Sequence, residues 1–442
     1  MEDARYNQEK LTSLSPFRNL KVLIIGGGAV GSYEAELQAK MGVGHCAIDD
    51  IDRYETDNAA KTSSLIRLSD EDGAADNGRW KAEALAERTQ AAMIKGSCAN
   101  SIVGSVDNMG AMAFSGFDYV CAAPDNKAVR EYVNQQLKLL PPEMRPVYIV
   151  GGTDGEMAAS AIFTDLDSAC YRCTCEEHSF KSSRRRSSCA DAQYRFTKEG
   201  KAEQIVVSNL ASAKAALLMA DDLRARATGK LPKGNRSRVW NPDSPFPPIT
   251  VEEPKRRADC PDCRKITPPK EVLTLNGDSL TTTLRSVLAQ IRAALRSDDF
   301  ELAVHRHSFG EDLFSEFVRR DYCRACGARF DLYRHTRFVD SERELLCEAC
   351  RAGGAQPRAD VPPGEVDTIY AFTPEETDER LLDAPLFELG YPIGAYLWVT
   401  HFNGAEDLGD PRVRSCCFTM GGDPAIVRRN INLKEGNEHG KR

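Results

Sequence analysis

The sequence contains no run of roughly 18 or more uninterrupted apolar residues, the length a bilayer demands, so no membrane-spanning helix is expected. The opening residues Met1-Glu2-Asp3-Ala4-Arg5 lack the basic and apolar regions of a signal peptide, and the protein is expected in the cytoplasm. An excess of positive charge is missing as well. The 58 Lys and Arg stand against 66 Asp and Glu, a formal charge of -8, which gives no global attraction to nucleic acid or an anionic membrane. Neither is expected as a partner. What the chain has in quantity is cysteine, 15 residues in all. Eight of them form Cys-x-x-Cys pairs, the spacing of zinc ligands in a reducing compartment rather than of a secreted disulfide framework. At 442 residues the chain exceeds the usual size of one hydrophobic core, so two or more domains are expected.

From Asn19 to about Phe163, short β-rich runs alternate with longer helical ones, the pattern of a doubly wound, largely parallel α/β sheet. Lys21-Val22-Leu23-Ile24-Ile25, Cys46-Ala47-Ile48, Ser101-Ile102-Val103, Tyr119-Val120-Cys121 and Val147-Tyr148-Ile149-Val150 are the strands, rich in the β-branched residues of a sheet covered on both faces. Helices are predicted over about 29–41, 79–92 and 127–139. The segment 174–188 is polar and reads as an exposed loop, and a helix is predicted over 205–223. Pro, Gly and Asn crowd between Gly229 and Pro254, which predicts a long connection. Leu280, Leu284, Val287, Leu288, Ile291 and Leu295 recur at helical spacing and predict a core-packing amphipathic helix in a smaller α+β C-terminal region. Ala395-Tyr396-Leu397-Trp398-Val399 is β-rich, and the tail after Arg428 reads as polar and frayed.

Gly26-Gly27-Gly28-Ala29-Val30-Gly31 follows a predicted strand and opens a predicted helix, where backbone N–H groups and the positive helix end hold phosphate. Asp50 ends the next strand, where a carboxylate accepts hydrogen bonds from a ribose hydroxyl. NAD and ATP fit these features equally.

The residues that follow separate the two. Asp50-Ile51-Asp52-Arg53-Tyr54-Glu55-Thr56-Asp57-Asn58 resembles the DxDxVxxSN stretch of the ThiF/MoeB family of ubiquitin-like-protein activating enzymes. Lys81, in Gly78-Arg79-Trp80-Lys81-Ala82-Glu83-Ala84, resembles that family's nucleotide-binding lysine. Asp125-Asn126, in Ala123-Pro124-Asp125-Asn126-Lys127-Ala128-Val129-Arg130, resembles its metal-binding aspartate motif. The resemblance implies a Rossmann-like adenylation domain in which Gly26, Gly28 and Gly31 shape the phosphate loop and Asp50 holds ribose. It further implies that Asn58 and Lys81 contact phosphates, that Asp125 binds magnesium, and that Asp52, Lys61 and Asn126 complete the ATP site. Alone, each residue also fits a structural role: the glycines a tight turn, Asp50 a strand-end cap, Lys81 a solvated helix residue, Asp125 a helix N-cap. Two departures stand out. The family's arginine and glutamine after the Asn are Lys61 and Thr62, and its RYxRQ pattern appears as Arg5-Tyr6-Asn7-Gln8, leaving Arg5 or Lys10 to supply the charge Gln8 lacks. The stretch between Asn58 and Lys81 is also expanded, which predicts an extra loop.

Cys170, Cys173, Cys260 and Cys263 flank the predicted loop and helix as the two halves of the family's zinc site do, and four thiolates make a closed, structural tetrahedral site. Cys323, Cys326, Cys347 and Cys350 match the C-x2-C-x20-C-x2-C spacing of a zinc ribbon, giving an expectation of two zinc ions per chain. Ser187-Ser188-Cys189-Ala190-Asp191-Ala192 resembles the family's SCAEA segment, which makes Cys189 the candidate catalytic nucleophile, with Arg184, Arg185 and Arg186 upstream to favour its thiolate. Cys175 is a nearby competitor. Cys46, Cys98 and Cys121 read as small core residues.

The expected organisation is an adenylation domain over 1–265, a helical connector over 266–320, the ribbon over 321–355, a small β-rich and β-grasp-like partner-binding region over 356–430, and a flexible tail over 431–442. The resemblance implies ATP-dependent adenylation of the C-terminal carboxylate of a ubiquitin-like protein ending in glycine, with Lys81 and Asp125 acting on the phosphates. Thioester transfer to Cys189, hand-off to a conjugating enzyme and a homodimer follow from the same resemblance. The alternatives are activation of a thiamine- or molybdopterin-type sulfur carrier, an NAD-linked dehydrogenase, and a noncatalytic zinc-bearing adaptor.

Overall fold

The computed structural model describes residues 14–69, 75–175, 194–196, 202–204, 208–231, 233–244, 248–305, 315–339, 345–361 and 364–433. Two compact units divide the chain. One is built from the chain up to Val106, from Phe114–Pro268 and from Val427–Leu433, the other from Asp107–Ala113 and Pro269–Ile426.

In the first unit, β1 (Lys21–Ile25) runs through the core with Val22, Leu23 and Ile24 fully buried. A glycine loop leads from it into α1 (Ala29–Met41), which ends at Gly42 in the left-handed conformation that a residue without Cβ adopts freely. β2 (His45–Asp50), α2 (Lys81–Ala92), β3 (Cys98–Val103), β4 (Tyr119–Ala122), α3 (Lys127–Leu139) and β5 (Val147–Asp154) follow. The five strands are parallel in the order β3-β2-β1-β4-β5, so the winding reverses between β1 and β4. Open α/β sheets bind ligands beyond the carboxyl ends of the strands at such a reversal. β6 (Met157–Phe163) continues the sheet antiparallel to β5. α4 (Asn209–Ala227) packs Ala215, Ala216, Met219 and Leu223 into the same core as Val22, Ile24 and Ile48. It starts at Asn209, four residues later than the apolar pattern predicted, behind the cap Ser208, whose side chain accepts the Ala211 amide at 3.1 Å.

The stretch predicted as a long connection holds β7 (Asn235–Trp240), which pairs antiparallel with β6, and β8 (Ile249–Glu252), which pairs antiparallel with β7 at the sheet's edge. Its two arginines concealed β7: Arg236 and Arg238 both reach the buried carboxylate of Asp222 on α4, and Ser160 of β6 donates to that carboxylate at 2.9 Å. The tail is not wholly frayed either, since Ile431–Asn432 pairs parallel to β3 and Asn430 accepts the Ser101 amide at 2.8 Å. Cys46 and Cys121 are core residues as expected, whereas Cys98, at the first position of β3, is exposed.

In the second unit, β9 (Leu273–Leu275) precedes α5 (Leu284–Leu295), which is capped by Thr283 and buries Leu284, Val287, Leu288 and Ile291. β10 (Phe300–Ala303), β11 (Ser315–Tyr322), β12 (Arg329–His335), β13 (Glu365–Ile369), β14 (Ala371–Phe372), β15 (Leu397–His401) and β16 (Arg414–Met420) complete it. The helix packs on a five-stranded sheet of order β9-β16-β15-β10-β14, with Phe300, Leu302, Val399 and Phe418 in the shared core. The stretch 266–320, expected as a helical connector, holds strands as well as a helix: β9 and β10 share one sheet with β14, β15 and β16, while β11 pairs in another. Only long-range pairing reveals this, because β9 and β14 are too short to carry a period. Between β10 and β14 in sequence sits a second sheet, β12-β11-β13, which carries the cysteines of the ribbon.

Candidate active site

β1, β2 and β4 bring their carboxyl ends together in the first unit. Gly26 takes a φ of +91°, and a Cβ there would come 3.0 Å from the Ala123 carbonyl oxygen, so the loops after β1 and β4 touch. A Cβ on Gly31 would sit 1.7 Å from the Gly26 carbonyl oxygen, which only glycine allows as α1 turns back over the loop. Gly28, by contrast, faces open space.

Asp50 binds this loop from β2. Its Oδ2 accepts the Gly27 amide at 2.6 Å and its Oδ1 the Asp52 amide at 2.7 Å. Each oxygen retains a second lone pair for a ribose hydroxyl. Burial pushes the Asp50 carboxyl up to about 6, with nearby Lys81 pulling it down and Asp52 pushing it up. Lys81 opens α2; its amide donates to the Asp52 carbonyl at 2.8 Å, and its Nζ lies 3.1 Å from Asp52 Oδ2. Gly27, Asp50, Asp52 and Lys81 thus form one cluster, with Lys81 Cβ placed 3.4 Å from where a Gly27 side chain would begin.

The other expected nucleotide residues are more dispersed. Asp125 is exposed just beyond β4, and Asn126 spends its side-chain oxygen on capping α3, accepting the Ala128 amide at 2.8 Å. Asn58 accepts the Glu55 amide at 3.3 Å and donates to Asp57 at 2.8 Å, while the Lys61 ammonium lies 3.8 Å from Asp57. These two residues engage their own turn. Cys189, Arg184, Arg185, Arg186, Arg5, Gln8 and Lys10 lie outside the described residues. Cys175 is half-buried beside the first cysteine cluster, and its carbonyl accepts Arg257 at 2.6 Å.

Two contributors had no role assigned from sequence. The Tyr54 hydroxyl donates to the Gly27 carbonyl at 2.6 Å. Arg130 of α3 donates to the carbonyls of Pro124 and Gly151 at 2.7 and 3.0 Å, fastening the turn before Asp125 to β5. Arg130 stands in the aspartate motif itself, so its presence was visible while its contacts were not. A cleft of about 700 Å³ lined by Tyr119, Arg145, Val147 and Arg226 lies at the opposite ends of β4 and β5 and takes no part in this cluster.

Both cysteine tetrads assemble, with all four Sγ atoms of each within 4.8 Å of one another. Cys170 Sγ lies 3.8, 3.7 and 3.4 Å from those of Cys173, Cys260 and Cys263. Four thiolates about 2.3 Å from a tetrahedral zinc stand about 3.8 Å apart, so the set fits that ion. The buried Asp262, between Cys260 and Cys263, accepts Asn134 at 2.8 Å and Gln135 at 3.3 Å, tying the site to α3. In the second tetrad, Cys326 and Cys347 Sγ are 3.8 Å apart and Cys323 Sγ accepts the amides of Ala325 and Cys347.

The curated adenylyltransferase and sulfurtransferase MOCS3 of Caenorhabditis briggsae is 31% identical over 182 residues, 38% of this chain and 41% of that protein, so the chain spans less than half of that relative. Among solved structures, E. coli MccB with ATP is similar at a TM-score of 0.45 and 18% identity, over 60% of this chain and 74% of that one. E. coli MccB with succinimide is similar at 0.44 and 17%, over 59% and 75%. The ThiF family matches residues 7–265, more than half of the sequence, and the chain belongs to that family.

Proposed function

We propose that the protein uses ATP to adenylate the C-terminal carboxylate of a small ubiquitin-like protein ending in glycine. The observation that carries this reading is the convergence of the glycine loop, Asp50, Asp52 and Lys81 at the reversal point of the sheet. In the reaction the partner's carboxylate attacks the α-phosphorus, the bond to the bridging oxygen breaks, and pyrophosphate leaves. Negative groups must be drawn together, so cations and preorganised donors neutralise the developing charge. The start of α1 offers backbone donors to the phosphates, Asp50 holds the ribose, and the Lys81 ammonium supplies the cation once a phosphate oxygen competes with Asp52 for it. Magnesium prefers one or two carboxylates plus waters and substrate phosphates, a demand that exposed Asp125 suits. When bound there, the ion would neutralise phosphate oxygens.

In this reading the Cys189 thiolate then attacks the carbonyl carbon of the acyl adenylate, AMP leaves, and the thioester passes to a conjugating enzyme. The protein acts as a homodimer, with two structural zinc ions per chain. Similarity to a protein named as both adenylyltransferase and sulfurtransferase favours a second reading, in which activation serves a sulfur carrier and no thioester is needed. Pyrophosphate exchange into ATP, dependent on a carrier with a C-terminal glycine, tests the activation step shared by both readings. No exchange with any such carrier removes them both. Nicotinamide-dependent absorbance in its place would restore the dehydrogenase.

A further inference from the structure

Tyr54 stands where the family stretch has a valine, and its hydroxyl is the feature that difference adds. It is fully buried and donates to the Gly27 carbonyl at 2.6 Å, while Asp50 takes the Gly27 amide at 2.6 Å from the other side. Both polar groups of the loop's middle glycine are thereby fixed. The peptide joining Gly27 to Gly28 is planar and trans, so its carbonyl and N–H point in opposite directions. Fixing the Gly27 oxygen on Tyr54 therefore turns the Gly28 N–H away from Tyr54. At Gly28 a Cβ would meet nothing within 4 Å, so the backbone has room there for an incoming oxygen.

We infer that Tyr54 is a positioning residue for the nucleotide phosphates, acting through the orientation of the Gly27–Gly28 peptide. This rests on the reading of the glycine loop as the ATP phosphate site. Burial, then the charges of Asp50 and Asp76, push the Tyr54 phenol well above its ordinary value, so it stays a neutral donor. The extra loop between Asn58 and Lys81 supplies the support. Tyr54 donates its amide to the Arg79 carbonyl at 2.9 Å and accepts the Gly78 amide at 2.8 Å. Buried Asp76 anchors the same loop by accepting the Arg67 amide at 2.8 Å and the guanidinium groups of Arg79 and Arg88 at 3.1 Å. Gly78 and Arg79, at the end of this loop, thus hold the Tyr54 backbone in place beside the glycine loop.

Tyr54→Phe keeps the ring and removes only the hydroxyl. Calorimetric titration of the full-length protein with magnesium-ATP and with adenosine separates phosphate positioning from general loosening. The expected result is ATP affinity weakened about tenfold, the scale of one lost hydrogen bond, with adenosine affinity unchanged. The retained adenosine binding is also the control that the variant folds. Equal weakening of both ligands, or no change in either, overturns the role of Tyr54 while leaving the ATP site standing. A wild-type protein that binds neither ligand overturns the phosphate-site reading itself, and the inference with it.

Discussion

Lys81 and Asp52 are joined twice, by a 2.8 Å hydrogen bond from the lysine amide to the aspartate carbonyl and by a 3.1 Å ion pair between their side chains. The lysine side chain is 8% exposed and the aspartate 38%, so a buried cation is held by a partner that water and substrate can reach. In the proposed reaction a phosphate takes over that cation without any rearrangement of the helix that carries it. Lys81→Ala should therefore lower carrier-dependent pyrophosphate exchange by about 10² or more. Its circular dichroism should stay that of the wild type, because the carboxylate it leaves behind, Asp52, is exposed enough to be hydrated without its partner. A residual rate within a few-fold of wild type would remove Lys81 from the phosphate site.

With the ribose on Asp50 as proposed, nucleotide binding should depend on pH. Its carboxyl, pushed up to about 6 mainly by burial, gains a proton as pH falls through that value and then accepts hydrogen bonds poorly. The dissociation constant for ATP should rise below about pH 6. In Asp50→Asn, binding should be weaker and the pH dependence between about 5 and 7 should be gone. Calorimetric titration across that range checks both.

Glu34, inside α1, is fully buried, with Gln38 donating to it at 2.5 Å. Burial raises its pKa from 4.5 to about 8. An acid whose folded-state value lies above its unfolded one stabilises the fold below the unfolded value, and that contribution is lost as pH rises through the folded value. Wild-type stability should accordingly decline from about pH 4.5 to about 8. Glu34→Gln should flatten that decline by roughly 1–3 kcal/mol, measured by urea unfolding at each pH. Parallel pH curves for the two proteins would disprove it.

Metal analysis should find two zinc ions per chain. Cys173→Ser and Cys323→Ser should each lose one, since a closed tetrahedral site does not tolerate a missing thiolate. The first substitution should lower the melting temperature by several degrees, because the tetrad ties Tyr171–Thr174 and Pro261–Lys265 to α3 through Asn134 and Asp262. The second should leave pyrophosphate exchange within about twofold, as the ribbon's sheet shares no strand with the sheet that carries the glycine loop. A single zinc in the wild type would mean that one tetrad is misassigned.

On the thioester reading, the two chemical steps should come apart at Cys189. Cys189→Ala should keep exchange yet lose any reductant-sensitive adduct with the carrier, because the adenylate forms without a thiolate to accept the acyl group. Asp125→Ala should lose both. An adduct that survives Cys189→Ala and vanishes in Cys175→Ala transfers the role to Cys175. Exchange without an adduct in the wild type favours the sulfur-carrier reading.

What the sequence made legible was local. Lys21–Ile25 and Ala29–Met41 were readable to the residue because an apolar β-branched run meets three glycines at their junction. The ribbon tetrad was readable from spacing, the joining of Cys170 and Cys173 to Cys260 and Cys263 from the family resemblance, and the cluster of Asp50 and Lys81 from their motifs. The hidden parts depend on partners far along the chain. β7 looks polar until its arginines are seen to meet Asp222, and the contacts of the Asn58 side chain with Glu55 and Asp57 in its own turn were not visible in its motif. Tyr54 showed only an aromatic ring at an apolar position, while its contribution lies in a hydroxyl that reaches back to Gly27.

The pairing of Ile431–Asn432 with β3 has a consequence for how the protein is made. Leu433, fully buried, donates its amide to the Val103 carbonyl at 2.6 Å, so the sheet that begins at residue 21 is completed by almost the last described residues. During synthesis, at about 5–20 residues per second, the outer side of β3 stays uncovered for the time needed to translate more than three hundred further residues. An unpaired strand edge invites pairing with other chains. A stop codon placed after residue 268 would remove this pairing, and the truncated chain should then associate through the open edge of β3 where the full chain does not.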